Sequence, residues 1–234
     1  MGVAQGITIA IDGPSASGKT TAARLLAEEL GYSYLDTGLL YRAVAWKVVK
    51  EKMDPVNESG VSRICGHQPV SVEKKDHLYR ILVDRTDVTD ELKTPQLSNI
   101  SSMVSKYRAV RESLVALQRE IGKEEDAILV GRDIGTEILP EAPVKFFMDA
   151  SIEVRGRRRY DELVKKGFQV KLEQTIQEMI RRDKQDSERT IAPLLKAKDA
   201  ILIDTSDMPL DKVVEKMRVE VERVKERRTK TFTH

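Results

Sequence analysis

One cysteine, one tryptophan, four phenylalanines and three histidines in 234 residues leave few of the side chains that redox, metal and acid–base chemistry draw on. A single thiol, Cys65, excludes an internal disulfide and fits a reducing compartment. It stands in Ile64-Cys65-Gly66-His67 with no second thiol near, which argues for a partly buried, inert cysteine rather than a metal site. None of His67, His77 and His234 is placed like a general base. No apolar run is long enough to cross a bilayer and no secretory hydrophobic segment is present, so a cytoplasmic protein without a membrane partner is expected. Net charge is also scarce: 40 Lys and Arg against 38 Asp and Glu leave +2, which gives no whole-chain basis for coating nucleic acid. Repeats and low-complexity segments are absent. What remains is ordinary for a soluble globular chain, 40% hydrophobic and 33% charged, and long enough for one α/β domain with an insertion or lid.

Residues 13–20 read Gly-Pro-Ser-Ala-Ser-Gly-Lys-Thr, the pattern G-x-x-x-x-G-K-[ST] of a phosphate-cradling loop. Its context is the one the physics requires. Ile7-Thr8-Ile9-Ala10-Ile11 before it is a β-branched run suited to a buried strand. Thr20–Leu30 after it has Leu25, Leu26 and Leu30 on one face and Gly31 as a stop. Gly13 and Gly18 let the backbone wrap phosphate oxygens, and successive N–H groups with the helix N-terminus supply partial positive charge. The expected triphosphate site is Gly13, Pro14, Ser15, Ala16, Ser17, Gly18, Lys19, Thr20 and Thr21. Lys19 would reach the β- and γ-phosphates, and the Thr20 hydroxyl would hold Mg²⁺.

Further along, Tyr32–Leu35 reads as a strand ending in Asp36-Thr37-Gly38, and Leu39–Lys52 as a helix. Pro55–Gly66 reads as looser chain. Pro69–Glu73, His77–Asp84 and Asp87–Thr89 are short extended runs split by polar turns, which predicts a small antiparallel insert over roughly 67–93. Helices follow around 96–106 and 110–121 with Gly122 as the stop. Strands are predicted at 127–131, 144–148 and 200–203, and helices at 151–167, 172–186 and 210–226, before a polar, frayed tail 227–234. Strands alternating with helices predict a parallel sheet covered on both faces.

In such a sheet, ligands gather at the carboxyl ends of the strands. Those ends carry the phosphate loop, then Asp36-Thr37-Gly38 with Arg42 one turn on, then Gly131-Arg132-Asp133. Arg132 there is either a substrate contact or half of a structural salt bridge. Arg155, Arg158 and Arg159 share a helix face at i, i+3 and i+4, with no matching acids in that spacing. They form either a solvated basic face or a clamp on a transferring phosphoryl group. Arg182, Asp186 and Arg189 share another face and form either a helix ion pair with a neighbour or a second anion site.

The runs Ile9–Thr20, Leu35-Asp-Thr-Gly-Leu-Leu-Tyr-Arg42, Gly131-Arg-Asp-Ile-Gly-Thr136, Ala142-Pro-Val-Lys-Phe-Phe-Met-Asp-Ala150 and Ala192-Pro-Leu194, in this order, resemble the bacterial cytidylate kinases, which phosphorylate CMP and dCMP. The likeness runs from about Ile7 to Val224. It implies a P-loop core with a five-stranded parallel sheet flanked by helices. It also implies that 67–93 is an insert of the monophosphate-binding part, and that about 151–190 forms a lid and acceptor-site helices, the lid bearing the arginines. By the same resemblance, ATP with Mg²⁺ is the donor, the protein is a monomer, and no nucleic acid takes part. Thr37, Arg42, Ser102, Arg111, Arg132, Asp133, Arg182, Asp186 and Arg189 would contact CMP. Arg42 and Arg132 would hold its phosphate, Asp186 with Arg182 its sugar, and Ser102 with Arg111 the cytosine edge. Relatives often carry serine at position 37, where threonine keeps the hydroxyl. Lys19, Arg132, Arg155, Arg158 and Arg159 would carry the transfer. The attacking phosphate oxygen of CMP is already ionised near neutral pH, so no strong base is required. A P-loop kinase for another small acceptor is the nearest competing reading. A guanine-reading switch would need Asn-Lys-x-Asp, which is missing.

Overall fold

The computed structural model describes residues 7–124 and 126–231. At its centre lies β1 (Ile9–Asp12), Ile-Ala-Ile-Asp, buried on both faces. Ile9 and Ile11 point into one apolar layer with α1 (Lys19–Leu30) and α8 (Leu210–Thr231). Ala10 points into the other, shared with α2 (Gly38–Lys50), α4 (Pro95–Val104) and α5 (Arg108–Lys123). Alternate side chains entering opposite cores is the period-2 signature of a strand with helices on both faces. β6 (Ala127–Gly131) flanks β1 on one side and β7 (Val144–Asp149) on the other, both parallel, with Asp12 opposite Gly131 and Phe147. β2 (Ser33–Asp36) pairs parallel with β6, and β8 (Ile201–Asp204) with β7. The order β2-β6-β1-β7-β8 is the expected five-stranded parallel sheet.

Three further strands, β3 (Val70–Lys75), β4 (Leu78–Val83) and β5 (Thr86–Asp87), pair antiparallel among themselves, as the alternation over 67–93 suggested. They do not stand apart from the core. β4 joins the edge of β2 through the single parallel pair Tyr34–Leu78, with the Tyr34 N–H donating to the His77 carbonyl at 2.9 Å, so one eight-stranded sheet results.

Three local expectations are corrected. The stretch taken as loose contains α3 (Glu58–Gly66), capped by Asn57, whose side chain accepts from the Gly60 N–H at 3.0 Å. Val61, Ile64 and Cys65 of this helix are buried in the core, which outweighs its poor intrinsic propensity. Gly122 does not stop its helix but lies inside α5. A Cβ there would sit 2.4 Å from Leu139 Cδ2, so the glycine serves close packing. The last helix runs past residue 226 to Thr231. The final part of the tail, including His234, lies outside the described residues. α6 (Ile152–Lys165), capped by Ser151, and α7 (Leu172–Glu188) pack closely, with Gly156 against Ile176. Among the described residues no helix is long and apolar enough to cross a membrane.

Candidate active site

The carboxyl ends of β1, β2 and β6 open into one cleft of about 580 Å³. At the end of β1 the chain turns at Gly13, where a Cβ would lie 2.0 Å from the Met148 carbonyl oxygen; only glycine lets the loop pass this close to β7. Ala16 and Gly18 adopt left-handed φ of 58° and 87°, and the second opens α1. Successive turns of this kind direct peptide N–H groups to one side of a loop, the arrangement that binds anions. Ser15, Ala16, Gly18, Lys19, Thr20 and Thr21 line the cleft, whereas Gly13, Pro14 and Ser17 form the wall behind it. Lys19 reaches back to donate to the Pro14 carbonyl at 2.6 Å. Burial pushes its amine well below the usual lysine range, and Arg132 adds to this while Asp36 opposes it. Thr20 Oγ1 donates to Asp36 Oδ2 at 3.2 Å, and the other Asp36 oxygen accepts from the Gly38 N–H at 3.0 Å. A hydroxyl and a carboxylate side by side beside a phosphate-binding loop are the hard oxygen donors that suit Mg²⁺.

The opposite wall is basic but internally paired. Arg132 Nε donates to Asp186 Oδ2 at 3.0 Å. Burial alone would raise the Asp186 carboxyl, but Arg132, Arg182 and Arg189 together hold it below its usual value. Asp133 accepts from Arg111 on one oxygen and from Arg189 on the other, the latter at 3.4 Å. Arg111 also lies 5.6 Å from the centre of the Tyr41 ring. Arg182 donates to Ser98 at 2.7 Å rather than to Asp186, and burial, with Arg132 close by, lowers it to about 10. Its Nε and the Ser102 hydroxyl are buried without partners among the described residues, which a polar ligand would satisfy. The Thr37 hydroxyl donates to the Val130 carbonyl at 2.9 Å, leaving it free to accept only. Arg42 lines the cleft and makes no ion pair among the described residues.

The arginine helix differs from the expectation of cations without matching acids: Arg155 finds its acid on α7 and Arg159 finds Glu162 on its own helix, while Arg158 pairs with Thr205. Arg155 Nη1 meets Asp183 of α7 at 2.5 Å, and Arg155 also donates to the Ala150 and Ser15 carbonyls at 2.8 and 3.4 Å. Arg158 donates to Thr205 Oγ1 at 3.0 Å and to its carbonyl at 2.6 Å. Of the three, Arg159 alone lines the cleft, paired with Glu162 at 2.7 Å. Arg155 holds the phosphate loop directly at the Ser15 carbonyl, and Arg158 holds it through Thr205. Two residues that the sequence reading passed over, Asp12 and Thr205, belong to this assembly, and so does Asp36, which that reading placed at the ligand end of the second strand without a role of its own. Thr205, whose hydroxyl donates to the Ser17 carbonyl at 2.9 Å, carried no local signal.

Comparison with known proteins agrees with the geometry. A solved structure of an uncharacterized protein from Eubacterium ventriosum superposes with a TM-score of 0.52 at 16% identity, covering 92% of this chain and 98% of that one, a likeness of fold. The chain is 42% identical over 216 residues to a cytidylate kinase of Bacillus subtilis (strain 168), covering 92% of this chain and 96% of the relative. It is also 42% identical over 225 residues to a cytidylate kinase of Geobacter sulfurreducens, covering 96% of each. The family model for cytidylate kinase matches residues 9–223. With nearly its whole length matched at this identity, the chain belongs to the cytidylate kinase family.

Proposed function

We propose that this chain transfers the γ-phosphoryl group of ATP to the phosphate of CMP and dCMP, giving ADP with CDP or dCDP, as a cytoplasmic monomer. The observation that carries the reading is the single cleft in which an anion-binding loop with Lys19 and Thr20 faces Arg42, Arg132 and Arg182. One wall suits a triphosphate and the other a second phosphate, the arrangement that in-line transfer between two phosphates requires.

In this reading the loop residues Gly13–Thr21 cradle the donor, and the turned N–H groups with Lys19 bear on its terminal phosphates. Thr20, with Asp36 beside it, holds Mg²⁺, which when bound neutralises charge on the triphosphate. Arg42 and Arg132 grip the acceptor phosphate. Asp186 and Arg182 address the sugar and Ser102 with Arg111 the cytosine edge, while Thr37, Asp133 and Arg189 make further contacts to CMP. The buried, unpartnered Ser102 hydroxyl supports that assignment. Residues 67–93 enlarge the acceptor side, and Leu78, Tyr79 and Arg80 from this part line the cleft. About 151–190 acts as the lid. From it Arg159 approaches the transferring group, while Arg155 and Arg158 keep the loop in place. Closure would exclude water, which otherwise competes as acceptor.

A coupled assay of ADP release with ATP, Mg²⁺ and each monophosphate in turn should rank CMP and dCMP well ahead of UMP, AMP, GMP and dTMP. UMP turnover equal to that of CMP would remove the base-side assignments and leave the donor site standing. Arg132→Ala is expected to lower turnover by about two orders of magnitude or more, because it deletes a phosphate clamp and also frees Asp186 to repel the acceptor. Parent-like activity in that variant would refute the role. Gly13→Ala should weaken ATP binding by at least an order of magnitude in calorimetric titration, since the added methyl must push the loop off β7. Unchanged ATP affinity would show that the close approach is dispensable.

A further inference from the structure

Asp12 is the last residue of β1 and directly precedes the phosphate loop. It is 4% exposed, and each of its carboxylate oxygens accepts one backbone N–H: Ile134 on Oδ1 at 2.8 Å and Gly135 on Oδ2 at 2.7 Å. Those two amides open the single π-helical turn Ile134–Ile138, which immediately follows Arg132 and Asp133. The β1–β6 ladder ends where Asp12 stands opposite Gly131. From that point on, the carboxylate replaces the ladder and carries the connection into the segment that bears the two acceptor-side residues. Ile134 and Gly135 are themselves buried, so their N–H groups have no water to turn to. Asp12 faces Lys19 of α1 and Asp133 among charged groups. Burial raises its carboxyl to about 6, with the Gly135 and Ile134 N–H groups and Lys19 pulling it back and Asp133 opposing them, so near neutral pH the acceptor-only anion meets both donors.

We propose that Asp12 is a positioning residue for phosphoryl transfer, fixing the Arg132–Asp133 segment in register with the phosphate loop so that acceptor and donor are aligned. This rests on the reading above that Arg132 and Asp133 face the acceptor. Asp12 touches neither substrate and acts through the residues it holds.

Asp12→Asn keeps the shape but sets an N–H against an N–H at one of the two contacts. In steady-state kinetics the variant should show a KM for CMP raised about 10- to 100-fold and a lowered kcat, while the dissociation constant for ATP stays close to that of the parent. ATP and CMP affinities falling together, or neither changing, would overturn the proposal. Parent turnover of CMP is measured alongside: loss in the variant alone concerns Asp12, and absence in both concerns the substrate. Amide hydrogen exchange on the parent supplies a test that no folding defect can spoil. Because coupling is reciprocal, CMP should raise the protection of the Ile134 and Gly135 amides more than ATP does. Unprotected amides, or equal protection by ATP, would overturn the clamp.

Discussion

Lys19→Ala is expected to cut the turnover of CMP by about three orders of magnitude while leaving the fold intact. The two halves of that expectation have separate causes. In transfer the loss falls on the transition state, where charge spreads over the oxygens of the moving group and a positioned cation in a water-poor cleft is worth most. In stability the loss is small, because Lys19 is a buried amine already displaced from its ordinary titration range by desolvation and by Arg132. Its one hydrogen bond, to the Pro14 carbonyl, lies in a loop with further support from Arg155 and Thr205. The ADP-release assay, paired with a circular dichroism melt, measures both. Lys19→Arg should fail nearly as badly, since a forked planar group does not replace a point charge at the end of a flexible stem. Near-parent turnover in the alanine variant would move the phosphate-binding role elsewhere.

Asp133→Ala should have the largest effect on stability. Its carboxylate is the common partner of Arg111 and Arg189, whose side chains are only 5% and 8% exposed. Removing it leaves two guanidiniums facing each other without an anion in a site shielded from water. Breaking a buried ion pair on one side costs about 3–5 kcal/mol. In a chain of this length that corresponds to a melting temperature lower by about 10 °C. Adding Arg111→Met should return part of the loss, because the repulsion is then halved and the methionine stem still packs near Tyr41. A melting temperature unchanged by Asp133→Ala would show that the two arginines are neutralised by something else. Substrate protection offers a second reading: if the pocket takes CMP, the nucleotide should recover less stability in the variant than in the parent.

The central sheet and the phosphate loop were legible because their causes are local. A β-branched run, two glycines and an amphipathic helix specify strand, turn and helix without reference to the rest of the chain. The ends of β2 and β6 were legible for a similar reason, since Arg132 and Asp133 are poor packing residues at a strand end. What the sequence hid were partnerships. Nothing around Arg155 announces Asp183, and nothing around Asp12 announces Ile134 and Gly135. These pairs meet only because the topology stacks β1 beside β6 and α6 against α7. The segment 58–66 was misread for the opposite reason. Its two glycines weaken the helix signal, and the burial of Val61 and Ile64 that overrides it comes from the tertiary fold. Gly122 illustrates the same conflict: a residue that reads as a stop is kept inside a helix by Leu139.

The strand at the middle of the sheet has a consequence for how the protein is made. β1 leads the strand order of synthesis, yet both its neighbours come late: Ile9 pairs with Ile128 on one side and Val144 on the other. At about 5–20 residues per second, a ribosome spends many seconds between producing the first of these segments and the last. Throughout that interval a strand led by Ile9-Ala10-Ile11 has no ladder to join, and closing loops of this length is slow even once the partners exist. The nascent chain is therefore most vulnerable to aggregation before residue 144 emerges, and the phosphate loop is among the last features to acquire its final shape.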